Sequence, residues 1–272
     1  MPSYASEEFA LLRTLIDPVA LFESVVRDDV THELASPHPW QKDALRSTSK
    51  RQMYLTSRQA GKSSTAATKA LHKALTHEGA TILLISPALT QSQEIFRKCL
   101  NYYRALGRPY GTKSESALRM ELGNSSRIIA LPGSEKTARS YSAHLVVCDE
   151  SGEVPDDLFG EAAIPSVAMT EGDIIAIGTP KGVRGWFYHL WEGGDPTWER
   201  YRVTADDVPR DLSDLIATTR AIRGERGVRQ EYYCSFEDDS DAFFRVEDLE
   251  RSLTLADTSV PPLFPEVVEE AS

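Results

Sequence analysis

The sequence predicts an α/β fold in which helices cover both faces of a mostly parallel central sheet, giving three layers. Between residues 53 and 177, short apolar runs of the strand type alternate with helical stretches. Strands that are joined through helices run parallel in one sheet. The chain has 272 residues, of which 41% are hydrophobic, enough for one sizeable core. We therefore expect one main α/β/α domain with a small appendage.

The elements of the core follow in order. Residues 5–30 carry apolar side chains at about helical spacing, with Pro18 expected to kink or restart the helix. After the break at Ser36-Pro37-His38-Pro39, the pattern predicts a strand, a helix and a second strand, which form one parallel β-α-β unit. Their expected bounds are Met53–Thr56, Lys62 to about His77, and Thr81–Ile85.

The remaining core elements are a helix, a hairpin and two buried strands. The expected bounds are Gln91–Leu106 for the helix, Ala117–Leu122 and Arg127–Leu131 for the hairpin, and His144–Cys148 and Asp173–Ile177 for the strands. Beyond Gly178 the chain becomes aromatic-rich and helical, with helices expected at Ser213–Gly224 and Gly227–Cys234. The predicted domains are an N-terminal helical extension (1–36), the core (37–180), a small C-terminal lid or linker subdomain (181–245), and an interdomain linker or tail (246–272).

Composition limits the possible functions. The formal net charge of −11 disfavours coating of nucleic acid by the whole surface, so any such contact must be local. The three cysteines form no CxxC pair, which indicates neither a disulfide framework nor a cysteine zinc site and fits a reducing, cytosolic compartment. No signal peptide and no uncharged apolar stretch of about 18 residues is present, so we expect a soluble protein with no membrane partner.

The segment Thr56–Ser63 matches the phosphate-loop pattern GxxxxGK[ST] at Gly61-Lys62-Ser63, with Thr56 where the first Gly is expected. A strand precedes it and a helix follows, so backbone N–H groups and the helix N-terminus would surround phosphates. Lys62 would reach the β- and γ-phosphates of ATP, and Ser63 would hold Mg²⁺. The alternative is a chance Gly-Lys-Ser at a helix start.

A second motif is expected at the same sheet edge. The apolar run Leu145–Cys148 ends in Asp149 and Glu150. Buried adjacent carboxylates are costly without a partner or a task. Asp149 would be a partner of Mg²⁺, and Glu150 would orient and deprotonate the attacking water. The alternative is a turn at the strand end. Together the two motifs predict a P-loop NTPase core (ASCE/RecA-like) that hydrolyses ATP.

Five motifs in order resemble the ATPase domain of large terminase subunits, the DNA-packaging motors of tailed double-stranded DNA bacteriophages. The resemblance covers about Pro39 to Phe244. The motifs are Pro39-Trp40-Gln41; Ser57–Ser63 with its internal Arg58; Val146–Glu150; Ile177-Gly178-Thr179-Pro180; and Gln230-Glu231-Tyr232 with Phe236 and Ala242-Phe243-Phe244.

This resemblance implies a homo-oligomeric ring, expected to be a pentamer, that drives double-stranded DNA into a procapsid with ATP and Mg²⁺. The implied partners are DNA of any sequence, the portal protein, the small terminase subunit and the large subunit's own nuclease domain. The implied location is the host cytoplasm and, transiently, the portal vertex. The chain stops before a nuclease domain would fit, so we expect no nuclease activity from it.

The resemblance also implies roles for single residues. Arg139 would reach into a neighbouring subunit's site as an arginine finger, with a surface Arg as the alternative; Arg58 is the rival, acting in its own subunit. Gln41 would contact adenine or simply cap a helix. Thr179 would sense the γ-phosphate or only end a strand. The remaining nucleotide-binding residues are expected to be Ser57, Gln59, Ala60, Gly61 and Ser64, with Arg58, Lys62 and Ser63.

Basic residues around the second helix and the hairpin are the candidates for DNA contact. Their alternative role is to keep exposed faces solvated. Such contacts would be to phosphates, because a motor must accept any sequence. They are Arg97, Lys98, Arg104, Arg108, Lys113, Arg119 and Arg127.

Two other functions share parts of this pattern. A helicase-like translocase has the same motifs but needs a second RecA-like domain. A nucleotide-gated binding module would bind ATP to move the lid without efficient turnover. The packaging-motor ATPase is the leading hypothesis because it accounts for all five motifs.

Overall fold

The computed structural model describes residues 4–132 and 138–237. The predicted tail (246–272) and the motif Ala242-Phe243-Phe244 lie outside them. The strands are β1 (Arg51–Thr56), β2 (Thr81–Ser86), β3 (Thr112–Glu115), β4 (Arg119–Leu122), β5 (Arg127–Pro132), β6 (Leu145–Cys148), β7 (Asp173–Gly178) and β8 (Glu199–Val203).

The helices are α1 (Tyr4–Ile16), α2 (Pro18–Val25), α3 (Pro39–Arg46), α4 (Lys62–Thr76) and α5 (Leu89–Ala105), followed by the short α6 (Asp156–Leu158) and α7 (Ile164–Ala168), then α8 (Gly185–Glu192) and α9 (Ser213–Tyr233). Helices α1, α2, α4, α5 and α9 lie close to predicted positions, whereas α3, α6, α7 and α8 were not predicted with bounds. Asp17 caps α2 through its carboxylate, so Pro18 restarts the helix as predicted. Gly224 breaks the helical conformation inside α9, which confirms two helical segments there.

The eight strands form one sheet in the order β3-β4-β5-β2-β6-β7-β1-β8. Six strands, in the sheet order β5, β2, β6, β7, β1 and β8, run parallel to one another. Strands β3 and β4 add an antiparallel meander at one edge of the sheet. This confirms the predicted mostly parallel sheet.

Helices and core residues cover both faces of the sheet, as predicted. Along β2, Ile82 and Leu84 point to the face covered by α2, α4 and α5, while Leu83 and Ile85 point to the other. The second face packs on aromatic side chains, among them Phe159, which stacks on Trp186. A strand buried on both faces has no polar alternation, which is why the run Ile82–Ile85 in β2 is apolar.

Strand β8 was not predicted from the sequence. It pairs in parallel with β1 at the edge of the sheet, and four of its five residues are at least partly exposed. Its segment, Glu199-Arg200-Tyr201-Arg202-Val203, therefore lacks the apolar run that marked the central strands. A strand from the predicted lid thus belongs to the central sheet, and the domain boundary at residue 180 stays a prediction.

Among residues 4–132 and 138–237, no helix is long and apolar enough to cross a bilayer.

Candidate functional site

The carboxyl ends of the parallel strands bring the two predicted motifs together. β1 ends at Thr56, where the phosphate loop starts, and β6 ends at Cys148, just before Asp149. Only β7 separates these two strands. Polar groups at the carboxyl ends of neighbouring parallel strands come together at this edge of the sheet, which is the usual place for a ligand site.

The phosphate loop is held by contacts with distant parts of the chain. The Ser57 N–H donates to the Val203 carbonyl of β8 (2.7 Å), and the Arg58 N–H donates to the Glu231 carbonyl of α9 (3.3 Å). Gln59 has a positive φ of 61°, which is uncommon for a residue with a side chain. Such local strain persists only where neighbouring contacts hold it.

Gly61 adopts a backbone conformation that residues with a side chain rarely adopt. Its φ is +81°, and a Cβ there would lie 2.7 Å from the Gln41 amide nitrogen. The Gly61 carbonyl accepts the Thr65 N–H (3.1 Å), so Gly61 starts helix α4. The backbone conformation therefore favours Gly at this position, and a larger residue would also displace the Gln41 amide.

Lys62 and Glu150 form an ion pair across the site. The Lys62 ammonium lies 3.3 Å from Glu150 Oε1, and both side chains are mostly buried. Glu150 has a φ of +50°, so the backbone of this residue adopts an uncommon conformation in the turn after β6. The lysine from one motif thus meets the carboxylate from the other.

Asp149 is buried beside that pair. Burial raises the pKa of its carboxyl to about 6, and Lys62 opposes the shift. Its Oδ1 atom is buried and, within residues 4–132 and 138–237, accepts no hydrogen bond; the same holds for the Ser86 hydroxyl at the end of β2. A buried carboxylate oxygen without a partner is costly, and carboxylates and hydroxyls are the ligands that Mg²⁺ prefers. The residues present therefore fit a magnesium ion.

Gln41 is buried against the phosphate loop. Its Oε1 accepts the His38 N–H (2.8 Å), and its amide nitrogen donates to the Thr65 hydroxyl (2.8 Å) and the Gly61 carbonyl (3.3 Å). The capping role considered from the sequence is present, because Gln41 completes a capping box at the start of α3. Its contact with adenine stays a prediction.

A cavity of about 420 Å³ lies on one side of the loop. The loop residues in its wall are Gln59, Ala60, Gly61, Lys62, Ser63 and Ser64. The rest of the lining includes Phe22, Val26, Asp28 and Asp29 of the N-terminal segment, together with Gln41, Lys98 and Arg210. Its size and its mixed polar and apolar lining suit a nucleotide-sized ligand.

Two other predicted groups contact the last helix. Arg58 pairs with Glu231, which also accepts Arg223, so two guanidinium groups share one largely buried carboxylate. Next to half-buried Thr179, the Pro180 carbonyl accepts the Gln230 amide (2.6 Å). Helix α9 thus contacts both the phosphate loop and the end of β7.

Arg139 lies at the surface, close to the undescribed residues 133–137. Its guanidinium pairs with Glu161, and both side chains are about half exposed. The role of Arg139 as an arginine finger stays a prediction.

The seven basic candidates for DNA contact do not share one environment. Four form ion pairs: Arg97 with Glu94, Arg104 and Arg108 with Glu115, and Lys113 with Glu121. Arg127 donates to the Thr81 hydroxyl, and Arg119 is exposed on β4. Lys98 lies in the wall of the 420 Å³ cavity. The structure thus groups Lys98 with the phosphate loop.

Three residues of the site were not assigned from the sequence. Ser86 directly follows the apolar run Ile82–Ile85 at the end of its strand, a signal that could have indicated it. Glu231 was included in a motif without a role. Arg210 has no local signal, because it reaches Gln59 and Asp28 only through folding.

A family model matches most of the chain. Residues 53–251 match the family described as terminase large subunit, T4likevirus-type, N-terminal. The terminase large subunit of Thermus phage G20c is 25% identical over 249 residues, covering 78% of this chain and 51% of that protein. The chain therefore spans about half the length of the curated relatives it matches.

Solved structures share the fold. The ATPase domain of the Thermus phage P74-26 large terminase superposes with a TM-score of 0.66 at 24% identity, covering 74% of this chain and 94% of that one. The large terminase of a thermophilic bacteriophage in complex with ATP-gamma-S gives 0.59 at 13% identity, covering 73% and 52%. Since the family match extends over most of the sequence, the chain belongs to the family of N-terminal domains of terminase large subunits.

Proposed function

We propose that this chain is the ATPase domain of a phage genome-packaging motor and hydrolyses ATP with Mg²⁺ to move double-stranded DNA. One observation carries the proposal. The Lys62–Glu150 ion pair lies next to Asp149, whose buried Oδ1 has no described partner. A phosphate ligand, a base for water and a metal ligand are thus joined at one sheet edge.

Each residue has a role that follows from its position. Lys62 would bind the β- and γ-phosphates, whose negative charge competes with Glu150 for the ammonium. Glu150 would then accept the proton of the attacking water. Ser63 and Asp149 would hold Mg²⁺, which supplies charge neutralisation on the phosphate oxygens when bound. The loop N–H groups from Gly61 onward would surround the phosphates.

Metal removal tests the proposal as a whole. With Mg²⁺ present, the chain should release phosphate from ATP in steady state, and chelation with EDTA should reduce the rate to background. The measurement is phosphate release against Mg²⁺ concentration. Turnover that persists unchanged in EDTA, or nucleotide binding with no hydrolysis at any DNA or protein concentration, would contradict it; the latter outcome would favour the nucleotide-gated binding module.

The proposal includes the assembly of the whole protein. In this assembly, the protein forms a homo-oligomeric ring on the portal vertex of a procapsid in the host cytoplasm. The ring acts with the small terminase subunit and with the nuclease domain of the large subunit. The net charge of −11 is compatible with this arrangement if only the pore-facing surface is basic. The family membership and the fold support the proposal, because both are those of terminase ATPase domains.

The arginine finger is tested by protein concentration. If Arg139 completes a neighbour's site, specific activity should rise with protein concentration as subunits associate. Arg139→Ala should abolish that rise and leave the activity at low concentration unchanged. Glu161→Ala is the matched control, because it breaks the same surface ion pair but keeps Arg139. A concentration dependence that Arg139→Ala retains would contradict the finger role.

A further inference from the structure

Lys98 is a cation in the nucleotide cavity that no motif contains. It lies on helix α5, and its ammonium donates to the Ser64 hydroxyl in the first turn of α4 at 3.3 Å. In the described part of the chain this is its one polar contact, and it has no carboxylate partner. An ammonium has three donors, so two of them are available for a ligand.

The neighbouring residue provides a contrast. Arg97 is 64% exposed and pairs with Glu94 at 3.0 Å on the outer surface of α5. Lys98 is partly buried and points to the phosphate loop. A partly buried cation without a counter-ion is unfavourable unless an anion joins it. Asp28 and Asp29 also line the cavity, but Asp28 pairs with Arg210 and no ion pair joins either carboxylate to Lys98 within the described residues. A phosphate group entering the cavity would supply the anion.

The position of Lys98 indicates which phosphate. The described lining of the cavity includes Lys62, Ser63, Ser64 and Lys98, together with Gln41, the predicted adenine contact, but neither Asp149 nor Glu150. It therefore lies on the nucleoside side of the loop, away from the carboxylates proposed to act on the γ-phosphate. In phosphate loops the lysine reaches the β- and γ-phosphates, while the backbone N–H groups of the loop surround the α- and β-phosphates.

We propose that Lys98 binds the α-phosphate of the nucleotide and so fixes the affinity for ADP and ATP alike. The inference rests on the proposed ATPase function and gives Lys98 a place in that site instead of on a DNA surface. Both nucleotides carry an α-phosphate, so the contact is made equally before and after hydrolysis. Lys98 is therefore a positioning residue for substrate and product.

The test is calorimetric titration of the whole chain with Mg²⁺-ADP and Mg²⁺-ATP. Lys98→Gln, which keeps a donor for Ser64, should weaken both nucleotides by the same factor, about tenfold. Lys98→Arg should restore much of that loss. Arg97→Gln removes the same charge one residue away and should leave both affinities unchanged. In turnover, Lys98→Gln should raise KM and leave kcat near the wild-type value, because uniform binding is lost.

The other outcomes show whether the inference about Lys98 or the proposed function is wrong. If wild type binds both nucleotides and Lys98→Gln binds them equally well, the inference fails and the proposed function stands. A loss confined to ATP would place Lys98 at the γ-phosphate and overturn the inference. Reduced DNA binding with unchanged nucleotide affinity would return Lys98 to a DNA surface. If wild type binds neither nucleotide, the proposed function fails and the inference with it.

Discussion

Glu150→Gln should lower ATP turnover by about 1,000-fold, since it removes the proposed general base without changing the size of the side chain. Binding of ATP should persist or tighten, because Lys62 would no longer have a carboxylate at 3.3 Å competing with the phosphates. The measurement combines steady-state phosphate release with calorimetric ATP affinity.

Glu153→Gln is the matched control for this prediction. Glu153 lies three residues further along and pairs with Lys181 at 2.7 Å, with 42% of its side chain exposed. The same carboxylate-to-amide change there should leave turnover near the wild-type value. If Glu150→Gln and Glu153→Gln lower turnover equally, Glu150 has no special role and the catalytic assignment is wrong.

Lys62→Ala should weaken ATP binding by about 100-fold, which corresponds to roughly 3 kcal/mol, the upper range for one charged hydrogen-bonding group. Two effects act together, because the phosphates lose a cation and the carboxylates Asp149 and Glu150 lose the ammonium that offsets their repulsion. Turnover should fall with the affinity. Titration calorimetry and phosphate release measure the two effects.

Lys50→Ala is the control for this prediction, because it also removes a lysine but lies at the other end of β1, the strand that leads into the phosphate loop. Lys50 precedes β1 and pairs with Glu171 at the surface, both side chains being more than half exposed. Removing it should change neither affinity nor turnover, since surface ion pairs contribute little. Nucleotide affinity of Lys62→Ala equal to that of Lys50→Ala would show that the loop does not bind phosphate. Equal thermal midpoints for both variants would exclude unfolding as the cause.

The parts of the site that are local in sequence could be predicted. A strand, a Gly-Lys-Ser loop and a helix place Lys62 at a sheet edge through backbone geometry alone. An apolar strand that ends in Asp149 and Glu150 places two carboxylates at the same edge, since parallel strands share it. The structure confirms that Lys62 and the two carboxylates lie at one edge of the sheet, and the family match confirms the resemblance to terminase large subunits.

Other parts depend on tertiary contacts that no short pattern shows. β8 is recognisable as a strand only when β1 is beside it, because an edge strand keeps polar residues. Arg58 and Glu231 are 173 residues apart, and their pairing follows from the packing of α9. Lys98 is the clearest case. The helical pattern of α5 predicted an exposed basic residue, whereas the packing of α5 on α4 places its ammonium beside Ser64.

The sequence by itself determined the fold class, the phosphate loop and the carboxylate pair, because each depends on neighbours along the chain and on the alternation of strand and helix. Only the tertiary structure decided which further cations line the nucleotide cavity and which strand completes the sheet. The physical reason is that these features depend on distances between segments. Those distances are set by burial and charge pairing as the chain folds.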